Sequence, residues 1–197
     1  MPARAQKGKT MRLTRKLAGL LAAGMVAAGL TAAAAPARAS TPAPYFQILT
    51  LAGANTPPLC MQGDTGGPTG TFVSQQYCDT TGTNPYQQWL PISIGGDQYK
   101  FENVAIGRCL EALNGAVNGG VVDLWPCSSA ESNERWQWPT PSGQAPFPNI
   151  WPIQTRVSGT TGYCLDVPGA RNAGGVPMQT YRCNGTIAQY FFISQFE

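Results

Sequence analysis

From Tyr45 onward, short apolar or aromatic runs alternate with turns rich in Gly, Pro, Asn and Thr. Residues 46–49, 71–73, 99–104, 121–125 and 189–193 carry the aromatic and β-branched side chains of short strands. Within 121–125, alternation puts Val122 and Leu124 on one face and Asp123 and Trp125 on the other; Met178 and Thr180 alternate in the same way with Gln179 and Tyr181. No stretch of about ten residues carries a helical apolar stripe. The pairs Gly66-Gly67, Gly119-Gly120 and Gly174-Gly175 mark turns, each just before a strand that leads to a cysteine. The pattern predicts an all-β chain of many short strands.

The cysteines give these strands a period. Cys60, Cys78 and Gln87-Gln88-Trp89 form one copy of a unit, Cys109, Cys127 and Glu134-Arg135-Trp136 a second, and Cys164, Cys183 and Gln189-Tyr190-Phe191 a third. The cysteines within a copy are 18, 18 and 19 residues apart, and the first cysteines of successive copies are 49 and 55 apart. A fixed period of this length signals an array of similar units, none of which buries its apolar face alone. Packed about a threefold axis, they share one core and largely remove their free sheet edges. A small disulfide-bonded sandwich, the other all-β option, predicts no such period. Trp89, Trp136 and Phe191 are expected in the core, because each supplies a large apolar group at the same place in its copy. The longer second interval is explained by residues 139–148, a Pro- and Ser-containing segment read as a loop.

The amino-terminal region changes the apparent charge. Residues 1–16 carry six of the 13 basic side chains, residues 17–35 are almost wholly apolar or small, and Ala37-Arg38-Ala39 is a small-x-small cleavage site. These are the parts of a secretory signal peptide over 1–39, with Met11 as an alternative start, followed by a short leader over 40–44 and a single domain over 45–197. Its subdomains are expected at about 45–93, 94–147 and 148–197. The signal takes seven basic residues and no acidic one, so the exported chain carries six basic and ten acidic side chains. No basic stripe remains to track a phosphate backbone, so nucleic acid is not an expected partner, nor is membrane insertion once the signal is removed. Export to the extracellular space makes the six cysteines disulfide candidates. Fifteen pairings are conceivable, and the repeat favours the local set Cys60–Cys78, Cys109–Cys127 and Cys164–Cys183. Zinc is the competing use, but the chain has no His and no C-x-x-C.

The segments Cys109-Leu110-Glu111 to Asn133-Glu134-Arg135-Trp136, and Cys164-Leu165-Asp166-Val167 to Gln189-Tyr190-Phe191, resemble the ricin B-type β-trefoil lectin domain. Copy one resembles it more faintly. The resemblance implies a β-trefoil of three pseudo-equivalent subdomains, each with a local disulfide and each able to hold one shallow sugar site. The family's site consists of an Asp after the first cysteine, a polar residue four before the second, an aromatic two before it, and the Asn-Gln that opens Asn-Gln-x-Trp. These residue types suit sugars, whose C–H faces lie against a ring while their hydroxyls need fixed acceptors and donors.

Copy three retains most of this set. The resemblance implies that Asp166 accepts from vicinal hydroxyls, that Tyr181 is the stacking ring, and that Gln179 and Gln189 complete or position the polar wall; Ala188 stands where the family has its Asn, and Asn184 is the neighbour able to substitute. In copy two Glu111 replaces the Asp, Asp123 takes the polar position, Trp125 is the platform and Asn133 is present. If Glu111, Asp123 and Glu134 lie together, the patch favours an amino sugar or another cation. Copy one, with Gln62, Ser74, Gln76 and Tyr86 at the corresponding positions, is expected to keep only the structure.

Without His or a free thiol, His-based triads and Cys nucleophiles are excluded, and a shallow surface accounts for the carboxylates without catalysis. The sequence therefore predicts a secreted, non-catalytic lectin, needing no cofactor or metal, for galactose-type or related neutral or amino sugars, glycans or polysaccharides. The alternative is a protein-interaction or inhibitor-like β-trefoil that contacts its partner through 139–148 and carries relic sugar sites.

Overall fold

A computed structural model describes residues 45–52, 57–66, 71–113, 115–128, 130–137, 150–157 and 162–195. The expected signal peptide, leader and 139–148 loop lie outside the described residues. Copy one supplies β1 (Phe46–Thr50), β2 (Leu59–Thr65), β3 (Thr71–Tyr77) and β4 (Trp89–Gly95), and copy two supplies β5 (Gln98–Asn103), β6 (Arg108–Ala112), β7 (Gly120–Trp125) and β8 (Trp136–Gln137). Copy three breaks two of its strands, giving β9 (Ile150–Pro152), β10 (Gln154–Thr155), β11 (Tyr163–Asp166), β12 (Val176–Pro177), β13 (Gln179–Arg182) and β14 (Tyr190–Gln195). Among the described residues only strands and short 3-10 turns form, as the absence of a helical stripe requires.

The outer strands of the copies close a ring. β1 pairs with β4, β4 with β5, β5 with β8 and β8 with β10; β9, which continues into β10 through Ile153, pairs with β14, and β14 returns to β1. The middle strands form the hairpins β2–β3, β6–β7 and β11–β13. These hairpins also meet one another, β12 pairing with β3 and β13 with β7. This is the threefold arrangement expected from the repeat and the β-trefoil implied by the resemblance, and the three local disulfides have formed.

Equivalent positions build the core. Trp89, Trp136 and Phe191 are fully buried, together with Ile48, Phe101 and Ile153 from the first strands and Met61, Leu110 and Leu165 after the first cysteines. The two indoles donate to the backbone one strand away, Trp89 Nε1 to Met61 O at 3.0 Å and Trp136 Nε1 to Leu110 O at 2.9 Å. Symmetry fails where side chains from two copies compete for one volume. Three residues after the first cysteines, Ala112 and Val167 are buried, but copy one has Gly63, where a Cβ would stand 2.8 Å from Asn103 Cγ and 2.9 Å from Leu124 Cδ1. Asn103 is itself fixed there, donating to Tyr86 O at 2.8 Å.

The polar residue of the Gln-x-Trp signature ties each copy to its own disulfide. Gln189 donates to Arg182 O at 3.0 Å and accepts from the Asn184 N–H at 2.8 Å, so it holds the backbone on both sides of Cys183. Gln87 does the same around Cys78, donating to Tyr77 O at 2.9 Å and accepting from the Asp79 N–H at 2.8 Å. In copy two Glu134 accepts from the Ser128 N–H at 3.0 Å but has no proton to donate. Lys100 supplies the missing donor: its buried ammonium bonds both Glu134 Oε2 and Ser128 O.

Candidate functional site

In copy three the register of β11 and β13 sets Asp166 directly across from Gln179, and Cys164 across from Tyr181. Tyr181, two residues beyond Gln179 on the same face, is 38% exposed, whereas Thr180 and Met178 turn inward and are buried. The result is an open cavity of about 400 Å³ lined by Asp166, Gln179, Tyr181, Asn184, Thr186 and Ala188, with the 3-10 turn Pro168–Ala170 along one side. Two amides fix the Asp166 carboxylate: Gln179 Nε2 donates to Oδ1 at 2.7 Å and Gln189 Nε2 to Oδ2 at 3.0 Å. Each oxygen keeps one lone pair for an incoming hydroxyl. Gln189 is buried and absent from the lining, so it positions Asp166 from below and also clamps the disulfide.

Ala188 removes an amide from this wall, and Asn184 stands beside the gap. Asn184 Oδ1 accepts from the N–H of Thr186 at 3.0 Å and from its hydroxyl at 2.8 Å, which leaves the side-chain nitrogen as the donor free for a ligand. The Ala112–Asn118 region of copy two is fastened to the same strand. Asn118 Oδ1 accepts from the Arg182 N–H at 2.9 Å, and Thr180 Oγ1 donates to Val117 O at 2.8 Å.

Copy two keeps the platform and, as copy three does with Asp166, buries its acids. Trp125 is 44% exposed, but Asp123 is 0% exposed and Glu111, its cross-strand partner, is 6% exposed. Burial and the neighbouring Asp123 push the Glu111 carboxyl up to about 7, opposed by a hydrogen bond with Asn133. Glu134 also raises Glu111 by its charge, so the three carboxylates lie near one another, with Glu134 paired to Lys100 beneath the surface. The acidic cluster expected from Glu111, Asp123 and Glu134 is thus assembled, but with one charge paired to Lys100 and all three side chains buried. Among the described residues no group of three or more His, Cys, Asp and Glu side chains is arranged to hold a metal.

Glu111 gives a pH prediction. A carboxyl whose folded-state value lies above its unfolded value of about 4.5 contributes stability below that value, and this is lost as pH rises through about 7. The protein is therefore expected to lose on the order of 2 kcal/mol between pH 5 and pH 8 from this group, after allowance for solvent screening. Urea midpoints at the two pH values check it, and Glu111→Gln should flatten the difference.

Copy one spends its polar groups on itself. Gln62 Nε2 donates to Asp64 Oδ1 at 2.7 Å, Ser74 donates to the other Asp64 oxygen, and Gln76 Nε2 reaches Ser74 Oγ at 3.2 Å. Asp64, which sequence reading left aside, takes the hydrogen bonds that a ligand would otherwise receive. Gln75 is a second residue that was missed. Fully buried, it donates to Arg171 O and to Ala173 O and accepts from Thr50 Oγ1 at 2.9 Å, so copy one holds the turn that walls the copy-three cavity. A polar residue where the equivalent positions carry Leu124 and Thr180 was the available signal.

The family model for the ricin-type beta-trefoil lectin domain-like family matches residues 39–125 and 85–181. The chain belongs to this family. The two matches are displaced by about one repeat, as near-equivalent copies allow. No curated protein sequence matches the chain. Among solved structures, the designed threefold-symmetric protein ThreeFoil superposes with a TM-score of 0.62 at 18% identity, covering 77% of this chain and 99% of its own. The ricin B-like lectin of Macrolepiota procera, solved in complex with lactose, gives 0.57 at 15% identity, with 76% and 94% covered. An exo-β-1,3-galactanase from Clostridium thermocellum gives 0.61 at 19% identity over 78% of this chain, but only 30% of the galactanase is covered. At these identities the likenesses establish the ricin-type trefoil fold.

Proposed function

We propose that this protein is a secreted carbohydrate-binding protein, without catalytic activity, that holds a galactose-type sugar in the copy-three cavity. The observation that carries this reading is the Asp166 carboxylate, held by Gln179 and Gln189 beside the exposed ring of Tyr181. A carboxylate with one lone pair left on each oxygen suits two adjacent hydroxyls, and the ring offers a flat apolar surface to the sugar's C–H face. The lactose complex of the Macrolepiota lectin, on the same fold, is consistent with a galactoside as ligand. Copy two, with its exposed Trp125, is a second and weaker contact for the same class of ligand. One shallow site should bind at about millimolar strength, and surface-bound glycans would raise this through high effective concentration.

Titrating the mature protein with methyl galactoside tests the reading. Asp166→Ala is expected to lower affinity at least about tenfold, because the site loses charge-assisted bonds to hydroxyls, and Tyr181→Ala should lower it several-fold. Trp125→Ala should leave the copy-three affinity unchanged. Binding that ignores both Asp166 and Tyr181, or no binding to any galactoside or glycan array, would sink the proposal.

A further inference from the structure

A second open cavity, of about 450 Å³, adjoins the candidate sugar site, and its lining is mostly apolar. Phe72, Val121 and Pro177 line it, and each stands six residues before the second cysteine of its own copy. Three equivalent positions thus converge on one volume at the junction of the hairpins. Its floor is the bare backbone of Gly119 and Gly120. A Cβ on Gly120 would stand 2.3 Å from Thr180 Oγ1, and Gly119 has a φ of +72°. The positions equivalent to Gly120 are Thr71 and Val176, so only copy two has a glycine here, where Thr180 packs directly against the backbone.

The two cavities share a wall. Gln179 lines both, and the turn Pro168–Ala170 runs between them, with Pro168 facing the apolar cavity and Gly169 and Ala170 facing the polar one. Pro177 ends β12, and Gln179 and Tyr181 are alternate residues on one face of β13, so the apolar cavity, the polar wall and the stacking ring follow one another along the chain. Val121 is 40% exposed and Pro177 is exposed, which leaves apolar surface open to solvent beside a site for a polar ligand.

We propose that this cavity is an accessory subsite for the apolar aglycone of a glycoside whose sugar ring lies against Asp166 and Tyr181. The inference rests on the sugar-binding reading above. The ligand class is then an amphipathic glycoside, its sugar held by the polar cavity and its alkyl or aryl substituent passing Gln179 to meet Phe72, Val121 and Pro177. Copy three is where the two halves meet, because its Gln179 lines both cavities, whereas in copy one Asp64 is taken up by hydrogen bonds from Gln62 and Ser74.

The test compares methyl and hexyl galactosides of both anomers by calorimetric titration. At least one hexyl anomer should bind about tenfold more tightly than its methyl counterpart, the gain expected for a few buried methylenes. Val121→Asp, a change at a half-exposed position, should cut that advantage below about threefold while methyl galactoside affinity stays as in the parent; Phe72→Ser should act in the same direction. If methyl galactoside binds through Asp166 but neither hexyl anomer gains, or the gain survives Val121→Asp, the aglycone subsite is overturned and the sugar site stands. If hexyl galactoside binds independently of Asp166, or neither glycoside binds, both readings fall.

Discussion

Lys100→Ala is expected to destabilise the folded protein by about 3–5 kcal/mol, because it leaves Glu134 ionised in a buried site without its partner. Glu134 is 0% exposed, and its second oxygen, Oε1, has no hydrogen-bond donor even with Lys100 in place. The same substitution removes the donor to Ser128 O next to Cys127. Copy one shows how the position works without charge. There Gln47 donates to Asp79 O at 2.9 Å, as Lys100 does to Ser128 O, and Gln87 fills the place of Glu134. The double variant Lys100→Gln/Glu134→Gln should therefore recover most of the loss, to within about 1 kcal/mol of the parent, since a neutral hydrogen-bonded pair avoids the desolvation of two ions. Urea denaturation of the two variants decides the matter. Equal stability of Lys100→Ala and the parent would show that the ion pair contributes nothing net.

Trp136→Ala is expected to cost about 3–5 kcal/mol, measured in the same way, through the cavity left in the core. Trp136 is fully buried, and its Nε1 satisfies Leu110 O, so truncation also strands a buried carbonyl. Trp136→Phe should cost much less, on the order of 1–2 kcal/mol, for the lost hydrogen bond and a smaller void. Copy three already uses phenylalanine at this place, with Phe191 as buried as either tryptophan. The contrast between the two substitutions separates ring volume from the indole donor.

The copies are thus alike in skeleton and unlike in chemistry, and the sequence displayed the first better than the second. Cysteine spacing and the aromatic end of Gln-x-Trp repeat because a shared core imposes the same volume on each copy. Strand alternation correctly set Val122 and Leu124 inward and Trp125 outward. The Asp166, Gln179 and Tyr181 set was legible through the resemblance to the ricin B-type family, and alternation added only that Gln179 and Tyr181 share a face; the hairpin register then set Asp166 across from Gln179. Copy two was less legible. Alternation put Asp123 on the face of Trp125, yet its carboxylate is covered, since burial depends on neighbours from other strands as well as on the side to which a residue points.

By itself, the sequence determined an all-β chain of three related units, their favoured local disulfides and the aromatic core positions; its resemblance to the ricin B-type family pointed to the residues that line the copy-three cavity. The units, the disulfides and the core positions follow from periodicity, a property of one strand or one repeat. Only the tertiary structure decided that Lys100 neutralises Glu134, that Asp64 closes copy one, that Gln75 holds the turn beside Asp166, and that Phe72, Val121 and Pro177 meet in one cavity. Each of these is a contact between residues distant along the chain or in different copies, or depends on which of several polar partners comes within hydrogen-bond reach. Such contacts are fixed by how the three units close around their axis, which no single unit encodes.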